Sequence, residues 1–286
     1  MPAAPDAVAA PGRLRRWTRD PVTVASLAVV ALVLAVAIAA PYVAPRDPYA
    51  QSLRDRRAPP GDRFLLGADE FGRDVLSRVM YGAGLALRTA LVATSIGLLS
   101  GTVLGLFAGF FGGLADDVIM RAMDVLLAFP YLLLAIAVVS ALGPGEVTTQ
   151  IAIGLWALPS FARLVRSSAL SLRERDFVEA ARAQGAGALR IMRRHVLPHA
   201  MWPLVAFATI FIARAILLES ALSFLGLGAQ PPAASWGGMV ASGRDYLRIA
   251  PHITLVPGAA IALTVLAFNL LGDGLRDVLD PQRSHL

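Results

Sequence analysis

The sequence predicts an all-α membrane protein with six transmembrane helices, and three observations support this prediction. Hydrophobic residues make up 56% of the 286 residues, mean hydropathy is +0.63, and only 16% of residues are charged. This composition is typical of membrane proteins. Several stretches without a charge approach or exceed the roughly 20 residues that a helix needs to cross a bilayer. Between two of them, a polar segment has the pattern of a short separate helix.

Two missing residue types limit the chemistry of the chain. All 26 basic residues are arginine, and there is no cysteine. Without lysine the chain has no Walker A motif and no Schiff base, and without cysteine it has no disulfide, thiolate nucleophile or cysteine-ligated metal. We therefore expect no enzymatic activity and no cofactor, with any ATP hydrolysis supplied by another chain. The arginines flank apolar stretches, which favours membrane lipid over nucleic acid as a partner.

The first three segments are predicted in order along the chain. Residues 1–21 are rich in alanine, proline and arginine, and they are predicted to form a cytoplasmic tail. Residues 22–45 follow without a charge and are predicted as the first transmembrane helix. A signal peptide is the alternative, but its apolar region would be shorter, about 7 to 15 residues. Residues 46–88 are predicted to be an extracytoplasmic segment.

Acidic residues in the extracytoplasmic segment have two interpretations. Asp69, Glu70 and Asp74 lie close enough in sequence to be considered as metal ligands. However, Arg73 lies among them and no carbonyl-rich calcium loop surrounds them. Structural ion pairs are therefore the favoured prediction, and no metal site is expected here.

Residues 89–272 are predicted to form a core of five transmembrane helices. The second span, residues 89–115, has glycine at every fourth position, which leaves one side of the helix without side chains. In a bilayer such a side allows close packing against another helix. The glycines are Gly97, Gly101, Gly105, Gly109 and Gly113.

The third and fourth spans are less regular. After a predicted cytoplasmic turn at residues 116–124, residues 125–145 form the third span, with a kink expected at Pro130 because proline removes a helical hydrogen bond. The fourth span, residues 147–162, is short, so Arg163 and Arg166 would have to extend to the membrane interface.

The polar segment lies within a cytoplasmic loop predicted at residues 163–203. Asp176 and Glu179 have the spacing of a capping box, which predicts a helix that begins at Phe177. Gly185 and Gly187 can adopt the left-handed conformation that ends such a helix.

One side of this short helix is nearly bare because Ala180 and Ala181 are small. A small, capped helix of this kind on a membrane protein is suited to enter a groove on a partner. His195 and His199, which follow it, have the spacing of a metal pair, but Pro198 interrupts the helix and no third ligand is evident, so no metal is predicted.

The fifth span, residues 204–225, contains Arg214 and Glu219, followed by Ser220 and Ser223. The two charged residues are about 140° apart around a helix, so they do not form a pair within it. Ionisable residues at membrane depth face a cavity or another helix. We predict a polar intramembrane site that lines a pathway or forms a structural contact. Residues 249–272 form the sixth span, and residues 273–286 form a cytoplasmic tail.

The short helix carries a resemblance to a known family. The pattern of Glu179-Ala180-Ala181, Gly185, Ile191 and Leu197-Pro198 resembles the EAA loop of ABC-importer permeases. Segments 66–82, 219–226 and 269–281 are similar to the dipeptide, oligopeptide and nickel subfamily of these permeases. Ala68 departs from the pattern, since that subfamily often has threonine there.

This resemblance implies a type I ABC importer permease fold in the bacterial inner membrane. The implied partners are a second, homologous permease, two ATP-binding subunits and an extracytoplasmic solute-binding protein. The solute would be a peptide or a related small solute such as a nickel complex. The short helix would be a coupling helix that docks on an ATPase through residues of the EAA loop. These residues are Phe177, Glu179, Ala180, Ala181 and Gly185.

Two other classes remain open from the residues alone. An ion-coupled secondary transporter could use Arg214 and Glu219 as a charge relay, but it would leave the short helix unexplained. A membrane scaffold would need neither residue. The resemblance places both termini in the cytoplasm, and the arginines between residues 163 and 194 agree with the positive-inside rule. The arginines of residues 46–88 do not follow that rule.

Overall fold

The computed structural model describes residues 20–279, so the predictions for residues 1–19 and 280–286 lie outside the described range. Within that range the chain is helical, and strand-like pairing is limited to one isolated bridge between Ala68 and Asp74. The helices are α1 (Pro21–Val43), α2 (Val75–Phe111), α3 (Gly113–Ala128), α4 (Tyr131–Leu142), α5 (Glu146–Leu172), α6 (Asp176–Ala183), α7 (Ala188–Phe224), α8 (Trp236–Gly243) and α9 (His252–Leu279).

Contacts at the two ends of the helix bundle establish the direction of its helices. At one end, the Arg173 guanidinium donates to the carbonyl of Gly109 over 3.2 Å. At the other end, Arg88 in α2 forms an ion pair with Glu146 at the start of α5, over 2.6 Å. Helices α2 and α5 therefore run parallel, and α3 and α4 return the chain from one end to the other. We call the two ends the α6 end and the α8 end, after the short helices found there.

Four helices, α1, α2, α7 and α9, are long and apolar enough to cross a membrane, and α3 with α4 makes a fifth if the bent pair counts as one span. The predicted kink at Pro130 is instead a full break, with 94° between α3 and α4. Pro130 has no amide hydrogen, so the helical hydrogen bonds stop there. Helix α5, the predicted fourth span, is not apolar enough to meet the same criterion. The count of six spans therefore stays a prediction, which the packing of α5 along α2 supports.

Several helices extend beyond the apolar stretches that were predicted as transmembrane spans. Helix α2 begins at Val75, before residue 89, the predicted start of the second span. At its beginning, Asp74 accepts hydrogen bonds from the amide and hydroxyl of Ser77. Helix α5 continues to Leu172 and α7 begins at Ala188, which leaves residues 173–187 as the connection that contains α6. Helix α9 likewise continues into the predicted tail.

The start of α1 has a side-chain cap. Asp20 accepts hydrogen bonds from the hydroxyl of Thr23 over 2.6 Å and from its amide over 3.0 Å. These bonds favour the ionised form and lower the pKa of the Asp20 carboxyl.

Residues 116–124, predicted as a turn, lie inside α3 instead. Asp116 forms a bidentate ion pair with Arg166, with both distances at 2.5 Å, and Asp124 pairs with Arg163 over 2.6 Å. The two arginines predicted to reach the membrane interface therefore connect α5 to α3.

The most extensive packing in the bundle joins α2 to α5. Four glycines of α2 face α5, and a Cβ added at Gly101 would lie 2.6 Å from the Cβ of Phe161. At Gly109 the added atom would lie 2.7 Å from the Cβ of Ala169. We call Gly97, Gly101, Gly105 and Gly109 the glycine row. Gly113 is not part of it, because it begins α3 and has open space around it.

Helix α7 continues through Pro198, where the sequence predicts an interruption. Residues Met192–Val196 form a π turn, and the α-helix resumes at Leu197. Pro198 lacks the amide hydrogen that an α-helix would use at this position, and a widened turn accommodates that loss.

Arginines of the extracytoplasmic segment are largely bound within the chain at the α8 end. Arg73 is buried and pairs with Asp69 over 2.6 Å, and Arg63 pairs with Asp55 over 2.5 Å. Arg56 donates to the carbonyl of Glu70 over 2.7 Å. Asp69 and Glu70, which were considered as metal ligands, are therefore used in ion pairs with Arg73, and Asp74 caps α2.

Candidate functional site

Helix α6 lies flat against the α6 end of the bundle, and four side chains hold it there. Val178 is fully buried and Ala181 is 9% exposed. On one flank, the Phe177 ring stacks on His199 with ring centroids 5.3 Å apart. On the other flank, the Arg182 guanidinium lies over the ring of Phe110 in α2, 5.5 Å from its centroid. The helix is therefore held on one face and on both flanks.

The start of α6 differs from the predicted capping box. The helix begins at Asp176, its N-cap residue is Arg175, and no side chain forms a cap hydrogen bond. Asp176 is inside the first turn, so its carboxylate is not in the cap position. Both acidic side chains, Asp176 and Glu179, are exposed in the first turn. There they favour the helix through its dipole.

Gly185 ends α6 as predicted, with a positive φ of 78°. Its amide donates to the carbonyl of Arg182 over 2.9 Å, and the Ala186 amide donates to the carbonyl of Ala181 over 3.0 Å. This pair of bonds is a Schellman motif. Gly187 does not take part, because its φ is −67° and it precedes the next helix.

The outer face of α6 is small and acidic. Four exposed residues at helical spacing lie opposite the buried pair, and we call them the outer stripe: Asp176, Glu179, Ala180 and Ala183. Glu179 and Ala180 of the predicted docking set belong to it. Ala181 does not, because it is buried against the chain itself, so its side chain positions the helix instead.

Exposed arginines lie on both sides of α6 in the sequence. Arg175 precedes α6, and three more lie in the first turns of α7, at Arg190, Arg193 and Arg194. Across residues 20–279 no ion pair involves them. The α6 end therefore presents two acidic side chains, two alanines and several exposed arginines.

Arg214 and Glu219 lie on different sides of α7. Glu219 is 1% exposed, and its carboxylate accepts a hydrogen bond from the Ser223 hydroxyl over 2.7 Å, with Ser220 farther away at 3.4 Å. Arg214 is exposed and makes no hydrogen bond or ion pair with residues 20–279. The two charges do not meet, so the relay considered for a secondary transporter is not formed within this chain.

The histidines considered as metal ligands have other contacts. The Nδ1 atom of His199 lies 2.6 Å from the carbonyl oxygen of His195, and both rings lie near Phe177. These contacts hold α6 against the start of α7.

Sequence reasoning missed the residues that attach α6 to the bundle. Val178 is the aliphatic residue within a polar segment, and it could have been identified as the buried side of the helix. The contact of Arg182 with Phe110 could not be predicted from a local sequence pattern, because these residues are far apart in sequence.

Residues 101–285 match the profile of the family described as "Binding-protein-dependent transport system inner membrane component". Residues 13–60 match the "N-terminal TM domain of oligopeptide transport permease C". The first match covers most of the chain.

Two curated relatives are similar over almost the whole length. A di/tripeptide transport system permease protein of Pseudomonas aeruginosa is 49% identical over 257 residues, which is 88% of this chain and 85% of the relative. A glutathione transport system permease protein of Pectobacterium atrosepticum is 45% identical over 269 residues, covering 94% of this chain and 89% of the relative.

The solved structures agree on the fold. A chain of the MetNI methionine ABC transporter, crystallised in inward-facing conformations, matches with a TM-score of 0.55 and 21% identity. The match covers 70% of this chain and 96% of that one.

Proposed function

The chain belongs to the family of binding-protein-dependent transport system inner membrane components, and we propose that it forms a peptide pathway together with a second permease subunit. It is a multi-pass permease subunit of an ABC importer, and ATP is hydrolysed by separate subunits. Importers of this kind work with ATPase and solute-binding partners.

Peptides are the proposed solute class. The two relatives described above are named for di- and tripeptides and for glutathione, itself a tripeptide, and each is at least 45% identical to this chain. Both similarities extend over most of this chain, so they include the membrane helices as well as the connection that contains α6. Small peptides rather than metal complexes are therefore the class to test first.

The outer stripe of α6 is the observation that carries the proposed coupling role. The other sides of α6 are occupied by contacts with α2 and α7, so Asp176, Glu179, Ala180 and Ala183 remain for a partner. We propose that this stripe enters a groove on the ATPase. The two alanines would allow close approach, and the two carboxylates would pair with basic groups of the groove. Arg182 and Phe177 would transmit movement of α6 to α2 and α7.

Arg214 supports the proposal of a second permease subunit and a shared pathway. It lies well inside the apolar part of α7, away from both ends of that helix. An arginine facing lipid at that depth costs at least about 2.5 kcal/mol. We propose that this face of α7 meets a water-filled pathway between the two permeases. Glu219, Ser220 and Ser223 would then stiffen the same helix from its buried side.

Cysteine labelling tests this position of Arg214, since the chain has no cysteine of its own. Arg214→Cys in the assembled importer is expected to react with a membrane-impermeant, charged thiol reagent, because water would reach it through the pathway. Leu99→Cys is the matched control, since Leu99 is 67% exposed in α2 at a similar depth and would face lipid. Equal protection of both cysteines would contradict a pathway at Arg214.

The proposed orientation puts the α6 end in the cytoplasm, with both chain termini on that side. The unpaired arginines beside α6 support this orientation through the positive-inside rule. At the α8 end, the arginines of the extracytoplasmic segment are mostly paired with carboxylates or bound to carbonyls.

Uptake into proteoliposomes tests the proposed function. The importer, reconstituted with its ATPase subunits and binding protein, is expected to accumulate a radiolabelled dipeptide only when ATP is present on the ATPase side. Dissipation of ion gradients with ionophores should leave the initial rate unchanged. ATP-independent accumulation that ionophores abolish would refute the proposal and support a secondary transporter.

A further inference from the structure

The corner between α2 and α3 consists of two glycines with positive φ. Gly112 has a φ of 66° and Gly113 a φ of 54°, and neither has a side chain that restricts rotation of the backbone. Phe111 is the last residue of α2 and Gly113 is the first residue of α3, so no further residue stiffens the corner. The angle between the two helices therefore depends on contacts from other parts of the chain.

Three arginines make these contacts, and they come from α5, from its C-cap and from α6. Arg166 of α5 forms the bidentate ion pair with Asp116 in the first turn of α3. Arg182 of α6 lies over the Phe110 ring near the end of α2. We call Arg166, Arg173 and Arg182 the arginine clamp. It holds the corner on its α3 side and on its α2 side.

Arg173 lies at the centre of the clamp. It is the C-cap residue of α5, and its Nη1 atom donates to the carbonyl of Gly109 over 3.2 Å. That carbonyl lies in the last turn of α2, where the helix itself offers no partner and a positive charge is favourable. The same Nη1 atom would lie 2.9 Å from a Cβ added at Gly112, so the guanidinium lies against the corner. Arg173 is three positions before Asp176, where α6 begins.

We propose that the arginine clamp makes the α2–α3 corner follow α6, and that Arg173 is the positioning residue that fixes the end of α2 to that movement. This inference rests on the proposed function, in which the ATPase moves α6. It adds the route by which the movement leaves the α6 end, because α3 and α4 lead from the corner to the α8 end. Without the clamp, the two glycines would let α6 move while α2 and α3 stay in place.

The ratio of dipeptide uptake to ATP hydrolysis in the reconstituted importer tests the role of Arg173. Arg173→Ala is expected to lower this ratio about tenfold, because a hydrogen bond from a charged group is lost while the ATPases remain active. Arg173→Lys keeps a charged donor and is expected to recover most of the ratio. Arg121→Ala is the matched control and should keep the wild-type ratio. Arg121 is an exposed arginine of α3 that makes no ion pair within residues 20–279.

A covalent link in place of one contact of the clamp gives a second test, which decides if Arg173→Ala does not fold. Asp116→Cys combined with Arg166→Cys removes the bidentate ion pair from a chain that has no other cysteine. With cysteine-free partner subunits, this double variant is expected to have a lowered ratio. A short bismaleimide that joins the two cysteines is expected to restore it. A ratio that stays low after complete cross-linking would overturn the proposal that the corner moves with α5 and α6.

The same assay separates this inference from the proposed function, provided that only folded, assembled importers are compared. If the clamp merely stabilised the fold, folded importers with Arg173→Ala would keep the wild-type ratio, and this inference alone would be overturned. Absence of ATP-driven dipeptide uptake in the wild-type importer would instead refute the proposed function.

Discussion

Gly105→Leu is expected to prevent correct assembly of the helix bundle, with loss of most folded protein. A Cβ atom at this position would contact the carbonyl oxygen of Ala162 and lie 2.9 Å from the Cβ of Val165. Backbone atoms cannot move aside as a side chain can, so α2 and α5 would have to separate. Overpacking typically costs about 1 to 3 kcal/mol. We expect the upper end of that range, because leucine adds three carbons beyond Cβ.

The measurement is the yield of monodisperse protein after detergent extraction, together with its thermal midpoint. Gly258→Leu is the matched control, because Gly258 lies in membrane helix α9 and has open space around it. It should retain near wild-type yield. Normal yield and thermal midpoint for Gly105→Leu would mean that the glycine row does not set the separation of α2 and α5.

Ala180→Trp is expected to lower ATP-driven uptake about 5- to 150-fold while leaving the fold intact, since a misfit in a packed contact costs about 1 to 3 kcal/mol. Ala180 is exposed, so the substitution removes no contact within the chain. It would instead put a large ring on the stripe that enters the ATPase groove. The assay is dipeptide uptake into proteoliposomes, with the thermal midpoint measured in parallel.

Ala115→Trp is the control for this prediction. Ala115 is an exposed alanine in the first turn of α3, at the same end of the bundle but away from α6. Its uptake should stay close to wild type. If Ala180→Trp and wild type had the same uptake rate, the outer stripe could not be a close contact with the ATPase.

Local sequence patterns predicted those features that depend on local chemistry. Uncharged stretches located helices α1, α2, α7 and α9, because crossing a bilayer requires a minimum apolar length. Glycine at every fourth position predicted a bare side on α2. It could not identify α5 as the partner, because that contact joins residues far apart in sequence. The extension of α2 back to Val75 was missed for a different reason. An uncharged stretch predicts only the part of a helix inside the membrane, and a helix can continue outside it as far as its cap.

In the candidate site, too, local features were predicted from the sequence and features that depend on packing were not. The spacing of Asp176 and Glu179 predicted a short helix, and Gly185 predicted its end correctly. The capping box was wrong, because spacing alone does not determine whether Asp176 is the cap or the first helical residue. In α7, the spacing of Arg214 and Glu219 showed that they face different sides. Only the packing of α7 against its neighbours determined that Glu219 is the buried one.

Disulfide cross-linking from the outer stripe tests the central claim most directly. Ala180→Cys would be the sole cysteine in this chain, and the ATPase subunits would carry single cysteines along the proposed groove. The account predicts a cross-link whose yield changes between ATP-bound and nucleotide-free states, and none from Ala181→Cys, because Ala181 is buried against the chain. The absence of any cross-link from Ala180→Cys in a folded, assembled importer would contradict the docking of α6 on the ATPase.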